Sequence, residues 1–194
     1  MGVDIKNPLQ LLYLLKKMGP QTFESLFREG IDPAGEISTD MYCLSQAVVD
    51  DYRPMFADAE LRDKVDGKRV IVASSDVHEH AAGALAQLLS EAGALVVNLG
   101  AEQNPGDLVD AILEHGADVL MLSTHNGMAL EYAKQLRHGL ERASLSLPVI
   151  IGGVLNQKVA EQVLPVPVIN ELLALGMRPA VGMPNLTRLL DFKI

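Results

Sequence analysis

Asp76-Val77-His78-Glu79-His80 places two imidazoles and two carboxylates within five residues, directly after the apolar run Val70-Ile71-Val72-Ala73 and the pair Ser74-Ser75. An imidazole is a general acid or base near neutral pH and a common metal ligand, and a carboxylate bound to its second ring nitrogen sets its tautomer and direction. Asp76, two residues before His78, is placed to do this. Two further stretches carry unusual residues: Ser123-Thr124-His125-Asn126-Gly127, with two hydroxyls and a third histidine, and Gly152-Gly153-Val154, where a ligand meets no Cβ. Zinc or iron bound by Asp76, His78 and His80 suits those donor types, although three ligands within five residues of one loop are geometrically awkward. Other chemistries lack their residues. The chain has no Gly-x-Gly-x-x-Gly or Walker sequence after its first apolar run, and no Gly-x-Ser-x-Gly elbow. A phospho-receiver site calls for an aspartate where Ser123 stands.

All three stretches follow short apolar runs of the kind that form strands buried on both faces. Such runs are expected at Arg69–Ala73, Ala94–Asn98, Asp118–Leu122, Pro148–Ile151 and Pro179–Val181. Helical spacing is expected between them: Ala84 to Gly93, Pro105 to His115, Met128 to Arg142, Ile169 to Leu175 and Asn185 to Leu190. Alternation of strand and helix implies right-handed crossovers and a parallel sheet. The expected fold is α/β: a flavodoxin-like (Rossmann-like), doubly wound, five-stranded parallel sheet in the order 2-1-3-4-5. Strands one, three and four are then neighbours, so the three unusual stretches line one crevice at the carboxyl edge, where open α/β sheets bind ligands.

Residues 1–66 read as a helical N-terminal extension ahead of a domain at 67–194. Asn7-Pro8 starts one helix and Gly19-Pro20 stops it, Thr22 to Arg28 suits a second, and Thr39 or Asp40 opens a third running to about Pro54. Such an arm suits packing or homo-oligomer formation. A net charge of −9 argues against nucleic acid, because phosphate binding needs clustered Lys and Arg. No apolar run reaches the ~20 residues of a membrane span, and Met1 to Asp4 lacks the basic start of a secretory signal, so a cytoplasmic location is expected. Cys43 is the single cysteine, which excludes an internal disulfide and a cysteine metal cage.

Asp76-Val77-His78 after a first strand, Ser123 after a third and Gly152-Gly153 after a fourth resemble the cobalamin-binding (vitamin B12) domain, over about residues 68–192. This is the module found in methionine synthase, methylmalonyl-CoA mutase and the small subunit of glutamate mutase. The family pattern is Asp-x-His-x-x-Gly, then Ser-x-Leu, then Gly-Gly. In that family the histidine displaces the cofactor's dimethylbenzimidazole and becomes the lower ligand of cobalt, and the freed nucleotide tail enters the core. The resemblance implies that His78 is the cobalt ligand, that Asp76 holds its other nitrogen, and that Ser123, Gly152 and Gly153 border the tail. Ser75, Val77, Glu79, Ala81, Thr124, His125, Gly127 and Val154 complete the implied cofactor site. Ala81 stands where the pattern has glycine, and His125 where it has leucine. A second register, with His80 and Gly83 as His-x-x-Gly, is also open.

By the same resemblance the chain is the cobalamin-carrying subunit of an adenosylcobalamin-dependent carbon-skeleton mutase, an isomerase. It would bind adenosylcobalamin rather than methylcobalamin, be non-catalytic alone, and work with a separate TIM-barrel subunit. A corrinoid methyl carrier of a methyltransferase system and a non-catalytic cobalamin-sensing or storage module are the alternatives.

Overall fold

A computed structural model describes residues 40–78, 80–160, 162 and 164–190. The two helices expected before residue 30 lie outside the described residues. Residues 45–194 form one unit, and 1–44 a second whose described part is only the start of the first helix.

Helix α1 (Asp40–Phe56) and helix α2 (Ala59–Val65) precede the sheet. Helix α2 has no counterpart among the expected elements, because its seven residues show no full apolar period. Its start is nonetheless local, since the Asp58 side chain accepts from the Leu61 backbone N–H. Strand β1 (Arg69–Ser74), helix α3 (His80–Glu91), strand β2 (Leu95–Asn98), helix α4 (Pro105–His115) and strand β3 (Val119–Thr124) follow. Then come helix α5 (Ala129–Arg142), strand β4 (Val149–Gly153), the short strands β5 (Asn156–Gln157) and β6 (Val166–Pro167), helix α6 (Ile169–Ala174), strand β7 (Arg178–Ala180) and helix α7 (Met183–Leu189).

Five strands form one sheet in the order β2-β1-β3-β4-β7, with every pairing parallel. This is the expected flavodoxin-like order. Strand β7 is an edge, where Pro179 can lack an N–H without breaking an interior ladder. The antiparallel pair β5–β6 is an addition between β4 and α6.

Alternation of side chains along each strand divides the core into two layers. Val70, Val72, Val119, Met121, Ile150 and Ala180 face one side, where they bury Val49, Phe56, Leu61 and Val65 of α1 and α2, Leu88 and Leu89 of α3, and Leu186 of α7. Ile71, Ala73, Leu120, Leu122, Val149 and Ile151 face the other, under α4, α5 and α6. Every residue of β3 is buried, as a central parallel strand requires. Burial of a large aliphatic side chain is worth about 1.5–3 kcal/mol, so these two layers supply the main force for folding.

Candidate functional site

Registers Ser74↔Ser123, Ser123↔Gly152 and Thr124↔Gly153 align the carboxyl ends of β1, β3 and β4. Ser123, Thr124, Gly152 and Gly153 are therefore the last rungs of the sheet rather than loop residues. The loop after β1 is shaped by its own short side chains. Asp76 Oδ1 accepts from the His78 backbone N–H at 3.0 Å, which closes an Asx turn. Ser74, fully buried, donates from its hydroxyl to the His78 carbonyl at 3.3 Å and accepts from the Asp76 N–H at 3.4 Å. Ser75 N–H bonds the Ser123 carbonyl at 2.9 Å and ties the loop to β3.

At the centre stands Asp76. Its Oδ1 also meets His78 Nδ1 at 2.8 Å, and its Oδ2 accepts the His125 backbone N–H at 2.6 Å. The carboxylate side chain is 6% exposed and the His78 side chain 61% exposed, so a buried anion holds an outward-facing imidazole by one nitrogen. A carboxylate only accepts, so His78 Nδ1 donates to Asp76, and in the neutral ring Nε2 carries the free lone pair. Burial pushes the Asp76 carboxyl up, but the N–H groups of His125 and His78 and the His78 ring outweigh it and hold the group below its ordinary value. Burial, opposed by the Asp76 charge and aided by His78, lowers the pKa of His125.

Beside this cluster lies a cavity of about 310 Å³, within the range of small-molecule sites. It opens on the β-face shared with α3 and α7. Ala81, Ser123, His125, Gly152, Gly153 and Val154 all border it. Its apolar walls are not singled out by the sequence: Val72, Met121 and Ile150 from the strands, Leu85 from α3, and Met183 and Leu186 from α7. The available signal is the period-two spacing that puts Val72, Met121, Ile150 and Ala180 on one face. Ser74, which organises the loop, lies in the stretch that the sequence marks but is not among the expected site residues.

The remaining candidates fall nearby in lesser positions. Val77 is 64% exposed at the tip of the loop. The Thr124 hydroxyl, on the opposite face from Ser123, and the Gly127 turn do not border the cavity; the Gly127 carbonyl accepts from the Lys158 N–H instead. Glu79 lies outside the described residues. His80 opens α3 without a bond to Asp76, and a Cβ on Gly83 would meet nothing within 4 Å, whereas Ala81 borders the cavity. The geometry therefore favours the Asp76–His78 register over the His80–Gly83 one. Gly153 has a structural need to be glycine. Its φ is +95°, and a Cβ there would lie 2.3 Å from the Thr124 carbonyl oxygen and 2.9 Å from the His125 ring.

Among the described residues, the Ser123 and Thr124 hydroxyls and His125 Nδ1 are buried without a hydrogen-bond partner. Such atoms are costly, and Ser123 and His125, which border the cavity, are the two that a ligand there could satisfy. The profile of the B12 binding domain family matches residues 68–169, more than half of the chain. The chain belongs to that family.

Two curated relatives from Haloarcula marismortui, glutamate mutase sigma subunits 2 and 1, are 31% and 33% identical to this chain over 82 residues. These alignments cover 42% of this chain and 55% and 54% of the relatives, so the match spans about half of their length. A cobalamin-binding protein from Desulfitobacterium hafniense DCB-2 shares the fold, with a TM-score of 0.50 and 20% identity, over 75% of this chain and 63% of that one. No helix among the described residues is long and apolar enough to cross a membrane.

The residues present fit a cobalamin with its lower base detached. His78, held by the buried Asp76, would offer a ring nitrogen to the metal, and the apolar cavity edged by Ser123, Gly152 and Gly153 would have room for an aromatic tail.

Proposed function

We propose that this chain is the cobalamin-carrying subunit of an adenosylcobalamin-dependent carbon-skeleton mutase, acting with a separate catalytic subunit. The observation that carries the cofactor half is the 2.8 Å contact between His78 Nδ1 and the buried Asp76, next to the 310 Å³ cavity. Similarity to the two glutamate mutase sigma subunits supports the mutase half.

In this reading His78 ligates cobalt through Nε2, and the nucleotide tail occupies the cavity between the sheet, α3 and α7. Asp76 fixes the tautomer and strengthens the donor by accepting the Nδ1 proton. The Ser123 hydroxyl gains the partner it lacks, and Gly152 lets the tail approach the strand. Gly153 leaves the room that the His125 ring occupies. When bound, adenosylcobalamin supplies a cobalt–carbon bond that cleaves homolytically. The substrate site belongs to the partner subunit, and the N-terminal segment ahead of the sheet is the proposed contact for a homo-oligomer.

The test is reconstitution of the purified chain with adenosylcobalamin and with methylcobalamin, followed by absorption spectroscopy. Uptake with the lower base displaced and a histidine bound is expected, lost in His78→Ala and kept in His80→Ala. Tighter retention of the adenosyl form supports the mutase assignment. Preference for the methyl form would overturn it in favour of a methyl carrier, and no uptake of either form would end the cobalamin assignment to this site.

A further inference from the structure

Asp76, His78 and His125 converge in a way that cobalamin ligation does not use. One ligand atom from each lies within 4.8 Å of those of the other two. The two imidazole rings stand 5.4 Å apart, inclined by 46°. His125 replaces the leucine of the family pattern, and its buried Nδ1 lacks a hydrogen-bond partner. An apolar residue would serve a tail pocket without that cost.

We propose that in the cobalamin-free chain Asp76, His78 and His125 bind a divalent first-row transition ion of the zinc class, and that this ion competes with cobalamin for His78. Two imidazoles and one carboxylate form a three-ligand set with an open position, the arrangement of many zinc and ferrous sites. Ligands around a tetrahedral ion with bonds of about 2.0–2.1 Å stand about 3.3 Å apart, so the cluster must contract modestly. Two members are already fixed to each other by the His125 N–H to Asp76 Oδ2 bond at 2.6 Å. The third moves at low cost, because the His78 side chain is 61% exposed. Asp76 accepts three hydrogen bonds, and a carboxylate has about four lone-pair positions, so one remains for a cation. The net charge of −9 attracts cations to the chain. His80, in the triplet read from sequence, lies outside this cluster, and His125 takes its place. A chain loaded with such an ion withholds His78 from cobalt, so metal supply would regulate cofactor loading. The competition rests on the proposed function; the metal site does not.

Titration calorimetry of the cobalamin-free full chain with zinc tests the site, with His78→Ala, His125→Leu and the surface control His138→Ala alongside and circular dichroism to check folding. One ion per chain is expected, bound at least about 10-fold more weakly by each of the first two variants, and with unchanged affinity by the third. No binding by the parent chain, or binding that survives both substitutions, would overturn the metal site. Zinc added before cobalamin should then lower uptake, with recovery on chelation; undiminished uptake would overturn the competition. If zinc binds in this mutational pattern while cobalamin never binds, the metal site stands and the proposed function falls. If cobalamin binds through His78 and zinc does not bind, the cofactor assignment stands and the metal site falls.

Discussion

The two edges of the sheet use the same device to opposite ends. At the amino edge Asp118, just before β3, reaches across to β1 and accepts the Arg69 N–H at 2.8 Å. At the carboxyl edge Asp76, just after β1, reaches across to the end of β3 and accepts the His125 N–H at 2.6 Å. Both aspartates staple β1 to β3. Asp118 is half-exposed, and its second oxygen meets the Arg69 guanidinium at 3.5 Å. Asp76 is buried, and its other oxygen accepts from the His78 backbone and meets the His78 ring. Around Asp76 lie orphaned hydroxyls, a glycine held against a carbonyl, and a cavity. One edge closes the fold, while the other carries the groups proposed to hold the cofactor.

Substitutions matched between the edges sharpen this contrast. Gly153→Ala forces a Cβ into the Thr124 carbonyl at φ +95°, and strain plus overpacking should cost about 3–5 kcal/mol in denaturant unfolding. At the amino edge Gly67, at φ +67° with nothing within 4 Å of a Cβ, should lose only about 1 kcal/mol as Gly67→Ala. Equal losses would erase the distinction. Asp76→Ala should cost about 2–3 kcal/mol, because it strands the N–H groups of His78 and His125, and weaken cobalamin binding about 10–100-fold. Asp118→Ala should cost about 1 kcal/mol and leave binding unaltered.

Ser123→Ala should move stability and binding in opposite directions. Removing a buried hydroxyl without a partner should stabilise the free chain by about 1 kcal/mol, while cobalamin affinity falls. A drop in both would show that the hydroxyl already serves the fold. The smallest effect is in pH. The Arg69 backbone N–H, opposed by burial and aided by the Arg69 side chain, holds Asp118 below its ordinary pKa. A depressed folded value gives stability that is complete above the unfolded carboxylate pKa of about 3.9 and is lost as pH falls through the folded one. The stability gap between the parent chain and Asp118→Asn should be constant above about pH 5 and close below about pH 4. Urea melts across that range check this.

How far the sequence discloses this follows from where each signal sits. Helix α4 is readable to the residue because its stops are local: the Asn104 side chain accepts from the Asp107 N–H, Pro105 follows, and Gly116 ends it. Strands β1 and β3 are readable as apolar runs, and with them the parallel order. Helix α5 is readable in its periodicity but not in its cap. The Gln157 side chain supplies that cap from the β5–β6 pair by accepting the Glu131 N–H at 3.0 Å. The pair itself, two residues to a strand, leaves no periodicity to read. At the site Asp76 and His78 are two residues apart, so their pairing is visible in the sequence. His125, 49 residues from Asp76, joins them only because β1 and β3 are adjacent and in register. The apolar cavity is hidden for a like reason. Its walls are ordinary core residues on separate elements, and nothing local separates a buried Met121 from one beside a void.

The most direct measurement is electron paramagnetic resonance of the chain loaded with cob(II)alamin, comparing natural protein with protein whose histidines carry the heavy nitrogen isotope. The nitrogen splitting of the cobalt signal should change from triplets to doublets on labelling and lose its response in His78→Ala. Triplets that persist in labelled protein would mean that the cofactor's own base still holds the metal, contradicting a carboxyl edge built to present His78.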